Sequence, residues 1–356
     1  MGPLGIAGFG GGAFYNMSFN NDVPKSSELT GSAVNLEDAT PGKTASGLKF
    51  IPQRGKAGLK ATIITALTEP KSFNGDVTLT AVIDMEKGSF SKFGLNGNAY
   101  FVTDYPSNKN PFVKAAVDAS YDIPSTTFNL NAVVDAKFAS VTARVPIGVY
   151  ADPSTWFVKV GDPFGERVSF TFLDMSSSVL TAKLNANAYI AAGNVLDGGL
   201  PPLPSEVTGM SGMPATNPQT ARLISDINSK PGGGFALGAQ VRGDFRASFL
   251  MLYAQAKAIL GFDLMMKHFT EPIDCGGTPG GINNWYAIGQ LYAYLNADVG
   301  VHVDVWFYEG DLSLCSVEAG AILNGGLPNP TWAQGRFAVR GSVLGGAVKV
   351  NTNFQF

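Results

Sequence analysis

The chain has 356 residues, 43 of them glycine and 21 proline, and only 15% are charged, against roughly 25% in ordinary soluble domains. A net charge of −3 and an isoelectric point near 5.5 argue against nucleic acid as a partner, because phosphate recognition rests on concentrated basic patches. Mean hydropathy is +0.10, yet no uncharged apolar run reaches the roughly 18 residues that a membrane-spanning helix requires.

The amino terminus, Met1-Gly2-Pro3-Leu4-Gly5, lacks the basic and apolar regions of a signal peptide. The expectation is a cytosolic chain, or a mature segment of a longer one. Ala13 to Phe19 reads as a strand, with Ala13, Tyr15, Met17 and Phe19 on one face. Residues 20–58 are polar and rich in turn residues (Asn20-Asn21-Asp22, Pro24, Pro41-Gly42). Such a length without structure is uncommon inside a compact domain. Residues 1–58 are therefore predicted as a strand plus a long polar surface excursion suited to partner contact.

Residues 59–197 form a first antiparallel region. Strand-like segments at Leu59–Thr68, Val77–Met85, Phe93–Thr103, Phe112–Ile123, Thr127–Asp135, Lys137–Tyr150, Trp156–Gly161, Arg167–Phe172 and Leu180–Ala192 alternate with turn signals such as Asn74-Gly75-Asp76 and Asp152-Pro153. Many short strands at near-regular spacing indicate an antiparallel sandwich or barrel. Residues 198–234 are a Gly/Pro-rich link with one short helix, opened by Asn217 as cap and Pro218 at the first helical position. Ala221, Ile224 and Ile227 give it an apolar side, and Gly232–Gly234 end it. It is expected to plug an end or edge of the sheet system.

Residues 235–356 hold the longest strands, one sheet system with 59–197. Phe235 to Phe249 is apolar at odd positions; near Leu250 the apolar phase slips to even positions without a turn signal, which predicts a β-bulge. From Ala287 to Phe307 every odd residue is apolar or glycine, and the even positions carry Gln290, Tyr292, Tyr294, Asn296, Asp298, His302 and Asp304. At about 3.3 Å per residue this stretch runs about 70 Å if unbent. Gly300 is placed to bend it or pass it between sheets. The aromatics Trp285, Tyr286, Tyr292, Tyr294, Trp306 and Tyr308 cluster towards its two ends, as a candidate interaction surface. Such girdles flank the lipid-facing band of membrane barrels, and they also pack between sheets or pave ligand grooves.

Nothing in the residue pattern selects a reaction. His302 shares a strand face with Asp298 and Asp304, but residues two apart on a strand do not close a coordination sphere alone. Arg242-Gly243-Asp244 falls within a strand pattern, whereas adhesive use of that tripeptide needs a loop tip. Gly10–Gly12, Gly232–Gly234 and Gly276-Gly277 lack the lysine and helix of a phosphate loop and read as turns or close backbone approaches. No Gly-x-Ser-x-Gly elbow occurs. The expectation is a non-enzymatic chain without catalytic residue, cofactor or metal. Cys275 and Cys315 are brought within reach of each other if their strands are neighbours, and an oxidising compartment then allows a disulfide; two free thiols are the equal alternative.

Two architectures compete. The alternation, the long polar segments and the closing Asn353-Phe354-Gln355-Phe356 fit an outer-membrane barrel. Against it, transmembrane strands need only about 9–11 residues and the apolar band is about 25 Å tall. The odd face of the long stretch is mostly Ala, Gly and Val, which suits close packing. The reading favoured is all-β: a large water-soluble antiparallel sandwich or flattened barrel with unusually long strands and an Ala/Gly/Val interior.

Several motifs resemble very large, poorly characterised cell-envelope proteins of Bacteroidota. They are Cys275 followed by Pro279-Gly280-Gly281-Ile282-Asn283-Asn284-Trp285-Tyr286-Ala287, then Gly289-Gln290-Leu291-Tyr292-Ala293-Tyr294, Leu327-Pro328-Asn329-Pro330-Thr331-Trp332 and Val343-Leu344-Gly345-Gly346-Ala347-Val348-Lys349, with Trp156 to Pro163 similar to another stretch. The resemblance implies an envelope or extracellular location and a chain cut from something longer; it carries no functional residues. The family-like pattern would continue past a further cysteine, where this chain stops at Phe356. Three functions follow as expectations. The first is a structural or interaction domain of an envelope or surface assembly, with other subunits, further domains of the same chain or its own copies as partners. The second is an outer-membrane barrel serving as channel or anchor. The third is a carrier of an apolar ligand between two sheets.

Overall fold

The computed structural model describes residues 4–19, 50–103, 107–108, 110–196, 198–211, 218–274, 279–306 and 308–355. Alternation makes strands because successive side chains leave opposite sides of the pleat. In order they are β1 (Leu4–Phe19), β2 (Phe50–Leu67), β3 (Phe73–Asp84), β4 (Ser89–Phe101), β5 (Val113–Asp122), β6 (Thr127–Phe138), β7 (Val141–Ala151), β8 (Trp156–Val160), β9 (Val168–Ser176) and β10 (Leu180–Gly193). Helices α1 (Ser205–Ser211) and α2 (Pro218–Ser229) come next. Then follow β11 (Gly232–Phe249), β12 (Leu252–Phe269), β13 (Ile273–Asp274), β14 (Pro279–Gly280), β15 (Trp285–Val305), β16 (Tyr308–Leu327), β17 (Trp332–Val343) and β18 (Val348–Gln355). Sixteen strands belong to one antiparallel sheet and β13 pairs with β14, so the fold is all-β and antiparallel.

The chain divides into two compact units, residues 1–168 with 191–195 and residues 169–190 with 196–356. The division falls inside β10 rather than at the end of the first predicted region. In the first unit β1 to β8 each pair with the next in sequence. One face of this sheet exposes Leu59, Leu79, Phe93 and Tyr121. The other carries Asn74, Asp76, Thr78, Thr80, Asn96 and Asn98, each at most 5% exposed. Its apolar clusters are small: Tyr150 stacked on Phe157, and Ala116 against Val133.

In the second unit β11, β12, β15, β16, β17 and β18 follow one another. The buried apolar core lies between this sheet and the helices. Leu223 and Ile227 of α2, one turn apart and so on one helix face, pack with Met265, Phe269, Tyr286 and Ile288. Val207 and Met210 of α1 pack with Ile259, Tyr292, Tyr294 and Ile322. Helix α1 is a correction, since a single helix was expected in the link. The buried side of α2 is also corrected, to Leu223–Ile227, with Ala221 exposed. Both helices rest on the broad face of the sheet.

The largest correction concerns which face is inside. On β15 the odd residues Leu291, Leu295 and Val299 are exposed, whereas Tyr286, Ile288, Gln290, Tyr292 and Tyr294 are buried. On β12, Leu260, Phe262 and Leu264 are exposed while Ile259, Asp263, Met265 and Lys267 are buried. The expected Ala/Gly/Val interior is the outward face, and the expected solvated face is the sheltered one. Alternation sorts residues into two sets but does not say which set is covered.

Smaller differences follow from pairing. The phase slip at Leu250 is a hairpin: Phe249 pairs with Leu252 across Leu250-Met251, with Leu250 at φ 53°. A two-residue turn pairs an odd position with an even one, so the face is kept while the parity changes. β1 extends back to Leu4, so Gly10–Gly12 lie in a strand rather than a turn, and Gly232–Gly234 open β11. β15 stays in one sheet through Gly300 rather than passing between two; a register shift falls between Val299 and Gly300, with the extra residue, Leu314, on β16. The predicted excursion lies outside the described residues over 20–49, and its end, from Phe50, is the start of β2.

Candidate functional site

The sheltered face of the second unit is a lattice of paired charges. Asp244, Lys257, Asn296, Glu318 and Arg340 are successive partners across β11, β12, β15, β16 and β17. Strand register therefore lines up five polar side chains in one row. Glu206 of α1 enters this row, 3.0 Å from Arg242 and 3.5 Å from Lys257. The Arg242 guanidinium also donates to Asp244 at 3.0 Å. The Glu206 carboxyl is held below its usual range by its own backbone N–H first, then by Arg242 and Lys257. Tyr294 donates its hydroxyl to Glu318 at 2.9 Å, and Arg340 donates to the Met210 carbonyl at 3.2 Å. These contacts hold α1 to the sheet.

A second row, Arg246, Gln255 and Asp298, lies one pleat along. Arg246 donates to Asp311 at 2.8 Å and sits over the Tyr253 ring at 4.9 Å. Asp298 accepts from Tyr253, Gln255 and Ser313. A pocket of about 330 Å³ opens beside Asp244, Arg246, Gln255, Lys257, Tyr294 and Asn296. Deeper in, Gln290 donates to Asp263 at 2.8 Å and to the Pro201 carbonyl at 2.9 Å, and Lys267 donates to the Ile227 carbonyl at 3.3 Å.

Aromatic rings lie over glycines on this face. A Cβ on Gly261 would meet the Tyr292 ring at 2.5 Å, and one on Gly300 would meet Tyr253 at 2.6 Å. Each glycine is the direct cross-strand partner of its tyrosine. The missing side chain is what lets the ring lie flat against the sheet.

The first unit builds its sheltered face from other materials. Thr62, Thr78, Asn96, Asp118 and Asn131 are successive partners across β2 to β6. Thr62 and Thr78 share a hydrogen bond of 2.8 Å, and Asn98 donates to Asp76 at 3.4 Å. Among the described residues, neither Asp76 nor Asp118 has an ion-pair partner.

The candidate residues read from the sequence are dispersed by this geometry. Tyr286, Tyr292 and Tyr294 are buried on the sheltered face. Trp285 is partly exposed and tilted against His268. Trp306, 95% exposed, occupies the turn between β15 and β16. Tyr308 opens β16, and its side chain lies outside the described residues. The six therefore do not make one surface. Cys315 is an exposed free thiol on β16, opposite Val299 and Val343; Cys275, the other half of the disulfide that stood as one of two equal alternatives, lies outside the described residues. His302 contacts Asp311 at 2.7 Å rather than turning to Asp298. Arg242-Gly243-Asp244 sits within β11, its charges engaged with each other and with Glu206. The residues that build the lattice escaped the sequence reading because their relation is tertiary: Lys257 and Asp311 meet theirs across strands, and Glu206 reaches from helix α1 to Arg242 and Lys257. For the strand residues the one signal available was their parity.

Comparison with known proteins finds no matching family, no similar curated protein and no similar solved structure.

Proposed function

We propose that this chain is a membrane-embedded β protein of the outer-membrane barrel class, a channel or anchor in a cell envelope, with its apolar strand faces turned to lipid. One observation carries the reading: the apolar set is exposed and the polar set sheltered, in both units. Burying a Leu or Phe side chain contributes roughly 1.5–3 kcal/mol, and in water that contribution is forgone at Leu59, Leu79, Leu260, Leu291, Leu295 and many others. A contiguous apolar face this large marks a surface that meets lipid or protein. Apolar-out and polar-in alternation is the pattern of membrane strands. Shallow apolar hollows support it too: one of about 700 Å³ beside Leu59, Leu79, Phe93 and Leu95, and one of about 510 Å³ beside Phe262, Leu291, Leu323 and Leu327. No helix among the described residues is long and apolar enough to cross a membrane.

Strand length favours a second reading. β15 has 21 residues and β16 has 20, about 70 Å of strand against a band of about 25 Å. In that reading the chain is a structural domain of an envelope assembly, and partner subunits cover the apolar face. Extraction and size analysis separate the two. The membrane reading expects a folded, monodisperse protein only in detergent or lipid. A stable folded monomer in plain buffer defeats both readings, and a defined oligomer in plain buffer supports the second.

A further inference from the structure

The pocket on the sheltered face of the second unit gathers polar side chains from neighbouring strands. Asp244, Lys257 and Asn296 are direct partners across β11, β12 and β15, Arg246 and Gln255 stand one pleat along, and Thr181 comes from β10, next to β11. All of them border one hollow of about 330 Å³, at the small end of the range for ligand pockets. Strand register sets these groups side by side, so they share one space.

The charges at its border are matched. Arg246 pairs with Asp311 at 2.8 Å and Asp244 with Arg242 at 3.0 Å, while Lys257 lies 3.5 Å from Glu206 and 3.7 Å from Asp244. An anion or cation entering the hollow would have to displace one of these partners. What is left over is neutral. The Asn296 amide and the Thr181 hydroxyl line the hollow and have no hydrogen-bond partner among the described residues. An amide offers a carbonyl acceptor and N–H donors, and a hydroxyl both donates and accepts. The Lys257 contacts are long for hydrogen bonds, which leaves its ammonium room for a further acceptor. Tyr294 borders the same hollow and has given its hydroxyl to Glu318, so its ring is the apolar contribution.

A site for an ionic ligand carries an excess of opposite charge, and a site for an apolar ligand is lined with hydrocarbon. This hollow has neither. A ligand with several hydroxyls meets unpaired amide, hydroxyl and ammonium groups without breaking an ion pair, because each hydroxyl can donate or accept. We propose that the pocket binds a neutral polyhydroxyl ligand of monosaccharide size, held by Asn296 and Thr181, with Lys257 donating to one of its oxygens. The site stands in either reading of the function, because both leave this face to polar groups.

Saturation-transfer difference NMR and titration calorimetry test it on the full chain, in whichever medium keeps it folded and without glycoside detergents. The probes are glucose, galactose, mannose and N-acetylglucosamine, with succinate and choline as ionic counterparts. At least one sugar should bind saturably, and the two ions should not. Asn296→Ala removes donor and acceptor together and should weaken that binding about ten-fold, and Thr181→Val, which removes one hydroxyl at nearly constant volume, about three-fold. Asn351→Ala, at an exposed amide of β18, should leave it unchanged. Thr181 is exposed at the start of β10, so its variant keeps the test open if Asn296→Ala fails to fold. A folded wild-type chain that binds none of the sugars overturns the proposal, as does tighter binding of succinate or choline than of any sugar. Folded Asn296→Ala or Thr181→Val chains that bind like wild type overturn it too.

Discussion

The two units wear the same outer surface over different interiors. Both expose leucine, valine and phenylalanine on one strand face. The second unit fills its sheltered face with helices, tyrosines and paired charges. The first fills it with amides, hydroxyls and carboxylates; Asp84, Asp122 and Asp135 are paired with Lys56, Lys92 and Arg144, while Asp76 and Asp118 have no ion-pair partner among the described residues. Outward residues need only suit the surrounding medium. Inward ones are set by what they must hold, which in the second unit is two helices.

The comparison breaks most sharply on the outer surface. Leu291→Arg in the second unit and Leu79→Arg in the first should each destabilise the chain in lipid vesicles by about 2–4 kcal/mol if the faces meet the bilayer, read from urea unfolding. On a water-facing surface the same changes should stay within about 0.5 kcal/mol. Unequal costs would mean that the shared surface is not shared.

The interior of the second unit is tested at Gly261. Gly261→Ala places a Cβ 2.5 Å from the Tyr292 ring and should cost about 1–3 kcal/mol through overpacking. Pairing it with Tyr292→Ala should recover part of that loss in a double-mutant cycle. Strict additivity would show that the ring does not lie on the glycine.

The smallest effect is expected at the turn after β7. Asp152 accepts from the Tyr150 hydroxyl at 2.6 Å and from Ser154 and Thr155. Tyr150 first, then Ser154 and Thr155, pull its pKa down from 3.8 to about 2. A depressed carboxyl contributes stability that is fully present above its unfolded value and is lost as pH falls through the folded one. Acid unfolding of the first unit should therefore steepen between about pH 4 and about pH 2, and Asp152→Asn should flatten that segment of the curve. The group is exposed, so the change is modest.

Much of the fold was legible from parity alone. The strands β3 to β10 fall close to the expected segments, because alternation and turn residues are local properties. The β11–β12 hairpin was misread as a bulge because Leu250-Met251 carries no Gly, Asn or Asp. The parity change itself was the turn signal. Helix α1 was hidden because seven residues cannot show much periodicity, and because what stabilises it is cross-chain: Val207 and Met210 in the apolar cluster, Glu206 on Arg242 and Lys257. The candidate site was less legible than the strands. Asp244, Lys257, Asn296, Glu318 and Arg340 are spread over almost a hundred positions, and only the register of five strands makes them a row.

By itself the sequence determined the partition of each strand into an apolar and a polar set, since a pleat with period two permits nothing else. From Ala287 to Val305 every odd residue is apolar or glycine, and the even ones are polar or tyrosine apart from Ile288 and Gly300. Which set is covered was decided by tertiary structure alone. The two faces of an alternating strand are equivalent until something lies against one of them, and here α1, α2 and the neighbouring polar rows lie against the tyrosines and acids.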